Sequence, residues 1–146
     1  MSFSDGSARV RYQPPANWTH NGEGGSLIFY PPEKQEAFMK WQLLPRTAPQ
    51  AASEDFAQWS RGFLPADATE ITLVADNASP FVLSGNPSRE LIYSYVGGGR
   101  RFETAVAVCD LDERQRLAIV VLARARDFKA VHDAAISSLF SWSRRK

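Results

Sequence analysis

The sequence is poor in cysteine and contains no long apolar run. Its one cysteine, Cys109, excludes an internal disulfide and a cysteine-based zinc site within this chain. No segment approaches the roughly 18 consecutive apolar residues of a membrane-spanning helix. Because 44% of the residues are hydrophobic and 23% are charged, we expect a soluble globular domain that folds without disulfides.

An excess of charge is also missing, as is a recognisable leader. The formal net charge of +1 creates no field that would attract nucleic acid or a membrane surface. The N-terminus lacks both a basic region and an apolar stretch, and residues 1–7 are expected to be disordered. The protein would be cytoplasmic if Met1 is the true start, and extracytoplasmic if a leader has been removed.

The C-terminal part of the chain predicts three consecutive strands followed by a helix. The strands are rich in β-branched and aromatic residues, and glycines or acidic residues separate them. They cover 89–96, 101–109 and 117–123. The middle strand is apolar on both faces, with small residues at Ala105, Ala107 and Cys109 on one face. Such a strand is typical of the centre of a sheet that is covered on both sides.

Two amphipathic helices are predicted in addition to shorter strands. The first helix lies between Pro49 and Leu64, and the second begins near Asp127. The apolar stripe of the first helix consists of Ala52, Phe56, Trp59 and Phe63. The further strands are 9–12, 26–30, 36–44, 70–75 and 81–83. The expected fold class is α+β, a mainly antiparallel sheet covered by helices on both faces (an α/β/α sandwich), in a single domain spanning residues 1–146.

Residues suited to catalysis are sparse, and no metal or cofactor is expected. His132 falls on the polar face of the last helix, which favours a solvated histidine, and His20 lies in a predicted loop. Cys109 is more typical of a buried thiol than of a nucleophile. The acidic turn 110–113 offers oxygen ligands for calcium, yet it lacks the EF-hand spacing, so a solvated turn is preferred. We therefore lean towards a protein that is not an enzyme.

Aromatic and basic residues are the remaining candidates for a binding site. Exposed tryptophans are common interface anchors, and two of them lie outside the apolar helical stripes. The glycines 97–99 predict a hairpin turn, and the two arginines after it are the best electrostatic candidate for an anionic partner. The candidate binding residues are Trp18, His20, Trp41, Arg100 and Arg101. We expect them to form a surface from loops 17–25 and 97–101.

Three short motifs resemble those of PsbP-like domains, whose fold is shared by the Mog family of Ran-binding proteins. They are the proline-rich turn Tyr12–Trp18, the turn into a strand at Leu83–Tyr93, and the helix ending Ile136–Trp142. Leu139 separates the serine and phenylalanine that are adjacent in the family's last motif. The resemblance covers residues 8–143 and implies a PsbP-like fold. Members are mostly non-enzymatic, and the resemblance assigns no functional residue and gives no support to Ran binding.

The residue pattern leaves three functional hypotheses. The leading one is a non-catalytic binding or accessory module from a bacterium, acting on a protein partner. The alternative is a small enzyme or small-molecule carrier with a pocket near His20, in which Glu23 or Glu103 assists the histidine. The third is a subunit that self-associates through an exposed strand edge.

Overall fold

The structure, a computed structural model, describes residues 2–4, 9–23, 25–33, 36–46 and 53–145. Its strands are β1 (Ser2–Ser4), β2 (Arg9–Arg11), β3 (Thr19–Glu23), β4 (Ser26–Tyr30), β5 (Phe38–Pro45), β6 (Thr69–Leu83), β7 (Asn86–Gly97), β8 (Arg100–Asp110), β9 (Gln115–Arg124) and β10 (Ser143–Arg145). Its helices are α1 (Ser53–Arg61) and α2 (Ala125–Ser138), and a 3₁₀ turn (Leu139–Ser141) follows α2.

Seven strands form one antiparallel sheet in the order β3-β4-β5-β9-β8-β7-β6, and the order β1-β2-β10 forms a smaller sheet. Two meanders meet where β5 pairs with β9, from Phe38 opposite Leu122 to Pro45 opposite Gln115. The β7–β8 turn and the β4–β5 loop lie at one end of the strands, which we call the Gly97 end. The β8–β9 turn lies at the opposite end, which we call the Asp112 end.

The predicted three-strand meander is confirmed as β7, β8 and β9, with consecutive antiparallel pairing. The small residues on one face of β8 belong to the same apolar cluster as the buried stripe of α2. These residues are Ala105, Ala107 and Cys109 from β8, and Phe128, Val131 and Ala135 from α2. Small side chains in the strand leave room for the helix to approach the sheet closely.

The opposite face of the sheet carries a second apolar cluster. Phe56 of α1 is fully buried in it, and Trp59 and Phe63 pack against it. The buried strand residues of this cluster are Leu91, Tyr93, Tyr95, Val108, Ala118 and Leu122. Three members of the predicted α1 stripe therefore lie against the sheet, while Ala52 falls outside the described residues.

Strand β6 is one edge of the large sheet and is irregular. The sequence predicts a break or a bulge at 77–80, and the structure has one continuous strand whose register against β7 shifts three times, so the irregularity is confirmed and the break is not. One shift lies between Ala78 and Val82, where Ser79 has a φ of 51°. Bulges twist an edge strand and interrupt its ladder, which opposes pairing with another chain. The geometry of β6 therefore disfavours this strand as an edge for self-association.

Three segments differ from the sequence-based expectation. Ser2–Ser4 was expected to be disordered but pairs with Arg9–Arg11, while residues 1 and 5–7 lie outside the described part of the chain. Thr19–Glu23 was expected in a loop but pairs with β4. Ser143–Arg145, for which the sequence predicts no strand, pairs with β2. In each case, the partner strand supplies hydrogen bonds that local sequence patterns do not reveal.

A buried carboxylate links α2 to the sheet. Glu90 of β7 is 1% exposed, and its Oε2 lies 2.9 Å from Nε2 of His132. Its Oε1 accepts a hydrogen bond from Asn77 Nδ2 at 3.1 Å. When Glu90 is ionised, Nε2 is the donor because a carboxylate can only accept, and the histidine ring stacks on Phe128 at a centroid distance of 5.1 Å. The interpretation of His132 as a solvated residue is wrong, since its side chain is only 16% exposed.

A second polar network closes the Asp112 end. The Asp112 carboxylate accepts hydrogen bonds from the backbone N–H groups of Arg114 and Gln115 and from Arg144 Nη2, at 2.7, 2.9 and 2.7 Å. Partial burial acts to raise the pKa of this carboxyl, but the hydrogen bonds and the charge of Arg144 outweigh it. The pKa is lowered to about 2.

The neighbouring aspartate in this turn is paired as well. Asp110 lies 2.6 Å from Nε of the buried Arg116 and 3.4 Å from Nη2 of Arg46. The sequence predicted a solvated acidic turn, whereas Asp110 is neutralised by Arg116 of the next strand and by the distant Arg46, and Asp112 is neutralised by the distant Arg144. Cationic partners at both aspartates also oppose the calcium interpretation of this turn.

Replacing His132 should destabilise the protein. In His132→Ala, the buried Glu90 carboxylate loses its partner on α2, and the ring stacked on Phe128 is removed. We expect the free energy of unfolding, measured by urea titration, to fall by about 2–4 kcal/mol. Lys129→Ala, an exposed position on the same helix, is the control and should change stability little. Equal effects of the two variants would contradict the proposed link.

The lowered pKa of Asp112 predicts a specific acid sensitivity. Its folded-state pKa of about 2 lies below the model-peptide value of 3.8, so its stabilising effect is present above that value and is lost as the pH falls towards 2. Asp112→Asn should therefore show a shallower loss of stability between about pH 4 and pH 2 than the wild type. Glu113→Gln, exposed in the same turn, should keep the wild-type slope.

Candidate functional site

A small cavity lies at the Gly97 end of the sheet. Its volume is about 190 Å³. Its walls come from the β4–β5 loop, the segment after α1, the β7–β8 hairpin and the end of β9. The lining residues are Glu36, Pro65, Asp67, Tyr95, Gly97, Gly98, Phe102 and Leu122.

The hairpin that borders the cavity depends on its glycines. Gly97 pairs with Arg100, which leaves Gly98 and Gly99 as a two-residue turn. Their φ angles are 56° and 77°, and two positive φ angles are what a type I′ hairpin turn requires. The prediction of a glycine hairpin here is therefore confirmed. The turn ends β7 abruptly, so the cavity opens beside it.

Two stacked aromatic rings form the apolar side of the cavity. The rings of Tyr95 and Phe102 are 5.8 Å apart between centroids, with an angle of 13° between their planes. Tyr95 is fully buried, and its hydroxyl group bonds Thr104 Oγ1 at 2.8 Å. Burial raises the pKa of the Tyr95 phenol, the bond to Thr104 opposes this, and the nearby Asp67 charge adds to the rise. Tyr95 therefore stays a neutral phenol and supports Phe102, which is partly exposed.

Two carboxylates form the polar side. Glu36 accepts hydrogen bonds from Arg100 Nη1 at 3.0 Å to each of its oxygens. Asp67 is exposed and makes no ion pair with any residue that the structure describes. A Cβ atom placed on Gly97 would lie 3.8 Å from Asp67 Oδ2 and equally far from the Phe102 ring. The Asp67 carboxylate and the aromatic ring thus face the same glycine.

The predicted binding residues on the N-terminal side do not form one exposed group. Trp41 is 2% exposed and lies in the core, 4.5 Å from Tyr12 between ring centroids, so it is not a surface anchor. Trp18 is partly buried against the same cluster. His20 is exposed on β3, and its ring lies 5.9 Å from that of Phe29.

The predicted arginines lie elsewhere. Arg100 and Arg101 begin β8, and three strands of the sheet separate them from β3, which carries His20. Arg101 is exposed and its Nη1 donates to Ser94 Oγ at 3.5 Å. The turn after Glu23 lies at the Asp112 end. The structure therefore does not bring the 17–25 and 97–101 segments together as one continuous surface.

The histidine pairings considered from the sequence differ from those in the structure. Glu103 lies on β8, with three strands between it and His20 on β3. The Glu23 side chain lies outside the described part of the structure, and among the described side chains it is His132 that meets a carboxylate, that of Glu90. Cys109 is buried, as expected, and this burial raises the pKa of its thiol to about 11. The second described cavity is an open groove lined by Ser2, Arg11, Tyr12, Gln13 and Ser141, and His20 borders neither cavity.

Sequence reasoning missed the residues that line the Gly97-end cavity. Glu36 was read as the start of a strand, and Asp67 follows the proline that ends α1, with no motif around either residue. Phe102 gave no signal beyond strand propensity. Within the described residues, no group of three or more histidine, cysteine, aspartate or glutamate side chains is arranged to hold a metal ion. No helix in this part of the chain has the length and apolar character needed to cross a membrane.

Similarity to known proteins is visible in structure and not in sequence. No protein-family model matches the chain, and no curated protein sequence matches it. The crystal structure of LpqN, involved in cell envelope biogenesis of Mycobacterium tuberculosis, is similar with a TM-score of 0.62 and 15% identity, covering 98% of this chain and 87% of LpqN. The solution structure of the cyanobacterial PsbP protein CyanoP from Synechocystis is similar with a TM-score of 0.62 and 12% identity, covering 98% of this chain and 91% of CyanoP. The chain therefore has a PsbP-like fold, as its short motifs indicated.

Proposed function

We propose that this chain is a non-catalytic binding or accessory module that contacts a protein partner through the Gly97 end of its sheet. In this proposal residues 1–146 form a single bacterial domain, with one helix on each face of the sheet. The observation that carries the proposal is the cavity at the Gly97 end, where two aromatic rings and two carboxylates meet beside a tight hairpin.

The position of this cavity is typical of a recognition site. Binding residues are often carried by loops that a rigid scaffold holds in place. Here β7, β8 and β9 are buried along most of their length, while the turn, Glu36 and Asp67 are exposed at the strand ends. The surface thus combines a rigid base with accessible polar groups. Of the residues proposed from the sequence, Arg100 and Arg101 belong to this surface.

An accessory role agrees with the process in which one protein of similar fold takes part. LpqN is described as involved in cell envelope biogenesis. At 15% identity this likeness supports the scaffold only, because one fold carries many unrelated functions. The protein partner is therefore proposed from the site itself, where aromatic rings and an arginine, residue types that are enriched at interfaces, lie together at an accessible surface.

Site-specific photocrosslinking tests this function. A benzophenone amino acid replacing Arg101 should give a discrete crosslinked protein product in cells that naturally express the chain. The same amino acid replacing Lys129, which is exposed on α2, is the matched control. We expect the product at position 101 to exceed that at position 129 at least fivefold. Equal labelling at both positions, or labelling at position 129 alone, would mean that the Gly97 end is not the binding surface.

A further inference from the structure

We propose, on the basis of the binding function above, that the Gly97-end cavity accepts one guanidinium group, the end of an arginine side chain from the partner. The first argument is size. Sites for drug-sized ligands usually enclose about 300–1,000 Å³, whereas this cavity encloses about 190 Å³. The space is suited to a single side chain rather than to a whole metabolite.

The charges of the lining select a cation. Glu36 and Asp67 both border the cavity, and one cationic side chain, Arg100, is paired with Glu36. Among the residues that the structure describes, these three groups carry a net charge of −1, and the Asp67 carboxylate has no ion-pair partner that would compete with an incoming cation. From the sequence we expected an anionic partner at Arg100 and Arg101. The charges that line the cavity favour a cationic group instead.

The aromatic wall favours a planar cation. A guanidinium group stacks on aromatic rings and also forms paired hydrogen bonds with a carboxylate. Phe102 offers a partly exposed ring, which Tyr95 holds in a stacked position from below. Asp67 Oδ2 and the Phe102 ring lie equally far from the Gly97 Cβ position, so one group beside Gly97 can contact both. Leu122 and Pro65 provide apolar contacts for the methylene stem.

The ion pair within the chain already places a guanidinium against one of the two lining carboxylates. Arg100 already places Nη1 at 3.0 Å from both Glu36 oxygens. A guanidinium from the partner would use Asp67 and compete with Arg100 for Glu36. Removal of Arg100 should therefore strengthen binding of a cation, whereas it would weaken binding of an anion. This opposite sign distinguishes the two classes of ligand.

The test is an NMR titration of the full 146-residue chain with n-butylguanidinium chloride, followed at the amide signals of Gly97 and Gly98. n-Butanol, which has the same apolar stem without the charge, is the matched probe. We expect n-butylguanidinium to bind about fivefold or more tightly than n-butanol. Asp67→Asn should weaken guanidinium binding about fivefold, while Arg100→Gln should strengthen it about threefold.

Two further variants control for shape and for general electrostatics. Gly97→Val adds a side chain between Asp67 and Phe102 and should abolish the shift of the Gly98 amide signal, whereas Gly25→Ala at the opposite end of the sheet should leave both reporter signals responsive. Glu113→Gln, an exposed carboxylate at the Asp112 end, should leave the affinity unchanged. Preserved spectral dispersion in each variant shows that it is folded.

The outcomes separate this inference from the proposed function. Equal binding of the two probes, or weaker binding by Arg100→Gln, would overturn the guanidinium assignment even if crosslinking at position 101 succeeds. Binding of n-butylguanidinium that depends on Asp67 would support the assignment. If that binding is found without a crosslinked product at position 101, the Gly97 end is not the protein-binding surface and the cation-binding cavity stands.

Discussion

The pairing of β5 with β9 joins the two halves of the large sheet, and the other features depend on its register. Met39 and Trp41 point into the cluster that contains α2, whereas Phe38 and Leu44 pack on the cluster that contains Phe56. A slip by one residue would exchange the two sets of side chains between the faces. In the observed register, each set of apolar side chains packs in its own cluster. It also brings the loop before β5, with Glu36, next to Arg100 of the β7–β8 hairpin.

The two ends of this sheet differ in how their charges are arranged. At the Asp112 end, arginines from β9, β10 and the segment after β5 neutralise both aspartates, and several of these groups are largely buried. At the Gly97 end, the glycine turn leaves a cavity, and the ion pair between Arg100 and Glu36 is exposed. A paired and buried network favours a fixed structure, while exposed charges exchange partners at low cost. The contrast explains why we place stability at one end and binding at the other.

The buried contact between Glu90 and His132 shows that the environment of a residue can differ from the one its local sequence pattern predicts. The sequence pattern places His132 among polar helical positions, and Glu90 near the start of a strand next to an arginine. In the folded chain, both side chains lie between the helix and the sheet, with Asn77 completing the hydrogen bonds. Burying a carboxylate is costly unless it is hydrogen-bonded. The pair therefore constrains both the position of α2 on the sheet and the orientation of the helix about its axis.

The sequence by itself determined the meander of β7, β8 and β9, the two amphipathic helices, the glycine hairpin at 97–99 and the buried state of Cys109. These features arise from periodicity, β-propensity and turn chemistry, which are local properties. The short PsbP-like motifs are also local features of the sequence, and they indicated the fold. Only the tertiary structure decided the pairing of β1 and β10 with β2, the buried position of Trp41 and His132, and the meeting of Glu36, Asp67 and Phe102 around one cavity. Those contacts join residues that are distant along the chain, and no local pattern encodes which distant partner a side chain will meet.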